Sequence, residues 1–139
     1  MYNIYYIIWA DFIINSRKYH PHEEGWKFTT WFLMSTMHAF NFWIIVMWLK
    51  YFKIYDLPLL NLDIFPGTAL NDVFSFSIEF MGPFGLLNYL LIFYNNRYEK
   101  ILPRYKNKKD IKYGLIYSLS MIGLSLFTFC LYGILTSQH

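Results

Sequence analysis

The stretch KFTTWFLMSTMHAFNFWIIVMWL, residues 27–49, decides the class of this protein. After Lys27 it runs to Leu49 without a single Asp, Glu, Lys or Arg, which at about 1.5 Å per helical residue is enough to cross a hydrocarbon core of about 30 Å. Trp26 and Trp31 stand near one end and Trp48 at the other, the positions where indole rings settle at the two lipid–water interfaces. The stretch reads as a transmembrane helix, and it makes lipid the solvent for the chain.

The rest of the sequence agrees. Of its 139 residues 56% are apolar and 23% aromatic, against about 45–50% apolar in an ordinary soluble domain. Two further stretches are long enough to span: residues 73–94, interrupted by Gly82-Pro83 and closed by Asn95-Asn96-Arg97, and residues 111–135. The fold class is therefore an all-α integral membrane protein, a single domain over 1–139 with three transmembrane helices. An amino-terminal helix over 1–14 precedes them. Fourteen residues reach only about 21 Å, Tyr2, Tyr5, Tyr6 and Trp9 favour interfacial depth, and Asp11 is costly at a bilayer centre. This segment is predicted to lie in the interface, with a short re-entrant or fourth span as the alternative. It carries no Lys or Arg before Arg17, so it does not read as a cleavable signal peptide.

Charge sets the orientation. Arg17, Lys18 and Lys27 precede or open the first span, and Arg97, Lys100, Arg104, Lys106, Lys108, Lys109 and Lys112 lie between the second and third. Together these are ten of the twelve basic residues. Only Lys50 and Lys53 sit on the other side, beside Asp56, Asp63 and Asp72. The positive-inside rule then puts the amino terminus and the 97–112 loop in the cytoplasm and the carboxyl terminus outside. Arg97, Lys100, Arg104, Lys106, Lys108 and Lys109 are expected to meet anionic headgroups, at about 1 kcal/mol each near the surface. The net charge of +3 comes from this one segment, which does not suit a nucleic-acid-binding groove. The scarcity of Ala and the abundance of Ile, Tyr, Phe, Asn and Lys suggest AT-rich coding, hence a low-GC bacterium or an organelle.

The outer loop, residues 51–72, is unusually apolar: Leu57-Pro58-Leu59-Leu60, then Ile64-Phe65-Pro66-Gly67. It must lie on lipid, fold back on the helices or meet a partner. Thr68 or Asn71 is placed to cap the following helix.

Polar residues inside the spans are the candidate site. Asp72, Ser75, Glu79 and Gly82 share one face of the second span, with Gly85 and Asn88 continuing it. Pro83 cannot donate to the carbonyl of Glu79, so Gly82 and Pro83 are expected to break the helix beside that carboxyl. Ser35, His38 and Asn41 line one side of the first span at similar depth. A cluster of Ser35, His38, Asn41, Ser75, Glu79 and Asn88 is thus geometrically open. It reads either as interhelical glue or as a proton, ion or small-polar-ligand site.

In the third span Gly114, Ser118, Met121, Ser125, Thr128 and Tyr132 step by four and three, a seam of mostly small side chains for close helix packing. Cys130, the one cysteine, reads as a small buried apolar residue. His20, His22, Glu23 and Glu24 have superficial ligand spacing, but no metal site and no cofactor are expected from them. No phosphate loop, nucleophile elbow or His-Glu-x-x-His motif occurs, and an enzyme is not expected.

The stretches Leu62-Asp-Ile-Phe-Pro-Gly-Thr68 and Leu87-Asn-Tyr-Leu-Leu-Ile-Phe-Tyr-Asn-Asn-Arg-Tyr-Glu-Lys-Ile101 resemble a family of small uncharacterised bacterial inner-membrane proteins, most specifically at Asn-Asn-Arg-Tyr-Glu-Lys. The resemblance implies a multi-pass protein of the bacterial inner membrane. Through members encoded beside secreted toxins, it also implies an immunity-like role. It brings no catalytic residues. The expected function is a non-enzymatic membrane interaction protein: an accessory subunit of an envelope complex or an immunity-like protein, partnered by lipid and by another membrane protein or itself. The alternative is a homo-oligomeric channel, proton pathway or holin-like pore lined by Ser35, His38, Asn41 and Glu79.

Overall fold

In the computed structural model the described residues are 3–19, 25–58, 64, 69–105 and 112–137. They form α1 (Ile4–Tyr19), α2 (Trp26–Tyr51), α3 (Leu70–Phe76), a π-helical turn at Ser77–Met81, α4 (Gly82–Asn88), a second π-helical turn at Tyr89–Phe93, a 3-10 turn at Tyr94–Asn96, α5 (Arg97–Tyr105) and α6 (Tyr113–Thr136). Three helical runs are long and apolar enough to cross a membrane: α2, the run beginning at Leu70, and α6. They correspond to the three predicted spans.

Helix α2 is the axis of the bundle. With no Gly or Pro over Trp26–Tyr51 it runs unbroken, and it ends where Lys53 takes a left-handed φ of 55°. There the Lys53 N–H donates to the Lys50 carbonyl and the Ile54 N–H to the Leu49 carbonyl, each at 3.0 Å, the paired bonds that close a helix around a left-handed residue. The second span runs antiparallel to α2, since Asn88 meets Ser35 while Phe76 meets Trp43. Helix α6 runs parallel to α2, from Tyr117 beside Asn41 to Tyr132 beside Trp48.

Helix α1 packs inside the bundle. It lies antiparallel to α2, with Tyr5 stacked on His38 at 5.9 Å, Ser16 bonded to Thr30 at 2.8 Å and Arg17 4.5 Å over the Trp26 ring. His38 is about 18 Å along α2 from Trp26, so α1 begins beside the midpoint of α2 and ends beside its start. Trp9, Ala10 and Ile13 are fully buried on its inner face. These contacts tie the predicted amino-terminal helix to the spans. The reason is the four-residue step of Tyr5, Trp9 and Ile13, which turns three large side chains to one side. Together with Trp26, Met34, Ile92 and Tyr98, Trp9 and Ile13 form the core at the Trp26 end. A second core of Ala39, Val46 and Phe80 lies toward the Tyr51 end, and Leu57 of the loop after α2 folds back against it.

The second span keeps its helical course through Gly82-Pro83. Where a break is predicted, the helix widens into a π-turn: the Gly82 N–H reaches back five residues to Ser77. Pro83 then falls in the first turn of α4, where a missing N–H is tolerated. The span closes at Asn95 and Asn96, both left-handed with φ of 54° and 52°, a conformation asparagine adopts more readily than most residues. The chain then enters α5, where a loop is predicted. Its apolar stripe of Tyr98, Ile101 and Leu102 packs on the core, while Arg97, Glu99, Lys100 and Arg104 are exposed.

Candidate functional site

Asn88, at the last position of α4 before the second π-turn, is completely buried and commits its amide to three partners. Its Nδ2 donates to Ser35 Oγ at 3.0 Å and approaches His38 Nδ1 at 3.1 Å, while its Oδ1 accepts from the Tyr5 hydroxyl at 2.8 Å. With Nδ2 as donor, His38 Nδ1 is the acceptor and the ring proton sits on Nε2. The amide thereby ties α1, α2 and α4 at one level. The fourth helix joins one turn away, where Asn41 Nδ2 donates to the Tyr117 hydroxyl at 3.0 Å and the Tyr117 ring faces His38 at 6.2 Å.

Of the predicted cluster, Ser35, His38 and Asn88 come together and Asn41 stands beside them. Glu79 is half-buried within the first π-turn. It is nine residues before Asn88, about 13 Å along the helix, so the hub is centred on Asn88 instead of on the carboxyl. Ser75, four residues before Glu79, is buried higher still toward the Tyr51 end. Asn71 does not cap α3: Ala69 is the capping residue, and Asn71 Oδ1 accepts from the Ile64 N–H at 3.1 Å.

Two glycines mark the closest helix approaches. A Cβ on Gly85 would stand 2.9 Å from the Trp31 ring, and Trp31 Nε1 donates to the Gly85 carbonyl at 2.8 Å. A Cβ on Gly114 would stand 2.9 Å from Asp11 Oδ2, which accepts the Gly114 N–H at 2.7 Å. Helix α6 has no side-chain cap of its own; the Asp11 carboxylate provides one from α1, where the positive end of the helix dipole favours an anion. Asp11 therefore has a specific seat inside the bundle.

On α6 the seam positions Gly114, Met121 and Thr128 are buried, and Ser118, Ser125 and Tyr132 are half-buried. The Ser118 and Ser125 hydroxyls bond to carbonyls four residues back, both at 2.8 Å, and the Ser118 hydroxyl also reaches Met37 Sδ of α2 at 3.9 Å. Cys130 is exposed, contrary to the expectation that it is buried, because it stands on the side of α6 opposite the seam.

At the Trp26 end, Trp26 and Tyr98 meet edge to face at 5.5 Å. Arg17 lies 4.5 and 5.2 Å from their ring centres. Arg97 folds back so that Nη1 donates to the Leu90 carbonyl at 3.1 Å, satisfying an acceptor at the widened helix end. Lys100 and Arg104 are exposed on α5; Lys106, Lys108 and Lys109, like His20, His22, Glu23, Glu24, Leu59, Leu60, Phe65, Pro66, Gly67 and Thr68, lie outside the described residues. Among the described residues no group of three His, Cys, Asp or Glu could hold a metal ion.

Sequence reasoning misses Tyr5, Asp11, Trp31 and Tyr117. Each sits in an apolar helix whose polar atom finds its partner on a different helix. The available signal is the four-residue step of Tyr5, Trp9 and Ile13. Comparison of the chain with protein-family models, with curated proteins and with solved structures finds no match.

Proposed function

We propose that this protein is a non-enzymatic membrane interaction protein, either an accessory subunit of a larger envelope complex or an immunity-like protein. The observation that carries this reading is a second seam on α6. Ile116, Ser120, Gly123, Phe127, Cys130 and Ile134 step by four and three along the side opposite Gly114, Met121 and Thr128, and every one is exposed. Nothing lies within 4 Å of a Cβ placed on Gly123. The seam's small members, Ser120, Gly123 and Cys130, admit another helix closely between the larger Ile116, Phe127 and Ile134, whereas a face serving lipid alone has no need of them. The inner seam serves this chain's own α1 and α2; the outer one fits a helix from elsewhere.

The same reading places the protein in a bacterial inner membrane with residues 97–112 cytoplasmic and the carboxyl terminus outside. It is supported by the gathering of Arg17, Lys27 and Arg97 around one end of the bundle. In this arrangement α1 enters from the cytoplasmic side as a half-span. The closure of the Asn88 amide on Tyr5, Ser35 and His38 of its own chain favours a packing role for the polar cluster over a conducting one.

Cys130 offers the test. A photo-crosslinker attached there in native membranes, followed by affinity purification, is expected to give one discrete adduct of stoichiometric partner, lost in Gly123→Leu. A chain that stays monomeric and alone in several mild detergents, with no adduct, contradicts the proposal. Liposome flux that Glu79→Gln reduces would instead select the oligomeric pore.

A further inference from the structure

A groove of about 420 Å³ opens at the Trp26 end, lined by Lys27, Phe28, Trp31, Tyr89, Phe93, Asn96 and Tyr98. That volume falls within the range of about 300–1,000 Å³ typical of small-ligand sites. Its walls are the first turns of α2 and the last turns of the second span, which run antiparallel. Polar and apolar groups are therefore sorted by depth. Lys27 and Asn96 stand at the mouth, where the helices begin and end, with Phe28 beside Lys27; Trp31, Phe93 and Tyr89 follow one or two turns inward.

The indole N–H of the apolar part is withdrawn from it. Trp31 turns its N–H into the bundle to reach the Gly85 carbonyl, leaving ring carbon toward the groove. The Lys27 ammonium rests 5.4 Å from the Tyr98 ring and 5.9 Å from the Trp26 ring, and forms no ion pair among the described residues. Arg17 lies against the same two rings, and Arg97 lies 5.8 Å over Tyr94. Glu99, which accepts from the Tyr98 hydroxyl at 3.3 Å, is the acid beside them among the described residues. Among those residues three cations thus face one carboxylate at the mouth.

We infer that this groove binds one anionic phospholipid of the adjoining leaflet, its phosphate at Lys27 and Asn96 and an acyl chain along Phe28, Trp31, Tyr89 and Phe93. Charge complementarity selects an anionic head, and basic pockets between membrane helices are a recurrent way of holding one. The apolar depth selects a lipid over a free anion. The inference rests on the basic end lying at headgroup level and is independent of what docks on α6.

The test is native mass spectrometry of the purified chain released from detergent, after exchange into phosphatidylglycerol, phosphatidylcholine or inorganic phosphate. One phosphatidylglycerol is expected to be retained. Lys27→Met should weaken its retention about fivefold, the weight of a single basic residue near a charged headgroup. Lys18→Gln, exposed on α1 and not among the groove's lining residues, should leave it unchanged. Tyr89→Trp, at a half-exposed position, should narrow the groove and weaken retention without removing charge, which covers the case that Lys27→Met folds poorly. Equal loss in Lys27→Met and Lys18→Gln would overturn the inference in favour of diffuse surface attraction. Equal retention of phosphatidylcholine, or full competition by inorganic phosphate, would overturn it as well.

Discussion

At Asn88 a single primary amide, with no exposed surface, holds three helices through Tyr5, Ser35 and His38. Each bond between membrane helices is worth about 0.6 kcal/mol on average and at most about 1.7, because the unfolded chain in a bilayer also finds partners. Asn88→Leu is therefore expected to lower unfolding free energy in mixed micelles by about 2 kcal/mol, and Tyr5→Phe by about 0.6. A neutral Asn88→Leu would show that apolar packing alone sets the level of these helices. Gly85 adds steric precision to the same region, since its missing side chain is what admits the Trp31 ring.

Elements are joined in this fold by groups that complete one another's ends. Helix α6 opens at Lys112 without a side-chain cap, and Asp11, one hundred and three residues earlier, provides it. Removing an N-terminal cap costs about 1 kcal/mol. Asp11→Ala should thus fray the start of α6, seen as faster hydrogen exchange over residues 113–117 with the centre of α6 unchanged. Uniform exchange along α6 in both proteins would argue that Asp11 contributes only packing. The second span makes a parallel point within one element. Its two π-turns absorb Pro83 on one side and set Asn88 at the edge of the other, so an apparent breaker in the sequence becomes a local widening.

For the whole molecule, the polar ends decide how the bundle sits. Arg17, Lys27 and Arg97 gather on aromatic rings at one end, while the Lys50–Asp56 pair at 3.2 Å marks the other. That pair is largely exposed, at 54% and 72%, and so adds little stability. In a Cys130→Ala background, Lys53→Cys should react with a membrane-impermeant maleimide from outside intact cells, and Lys100→Cys only after the membrane is opened. The reverse pattern would invert the proposed topology.

Sequence alone determined the solvent and the number of spans. A charge-free run such as residues 28–49 can satisfy its backbone only as a helix, and this holds whatever it packs against. Three runs long and apolar enough to span are legible for the same reason, and the inward seam of α6 is a local four-and-three pattern. Only the tertiary structure decided which polar groups meet. Glu79 stands out in the sequence because a carboxylate is conspicuous among apolar residues, yet the amide of Asn88 becomes the hub because its level coincides with Tyr5, Ser35 and His38 on two other helices. Likewise Asp11 looks misplaced in its own helix and finds its reason in Gly114. Contacts of that kind depend on the relative heights of antiparallel helices, which periodicity leaves free and packing fixes.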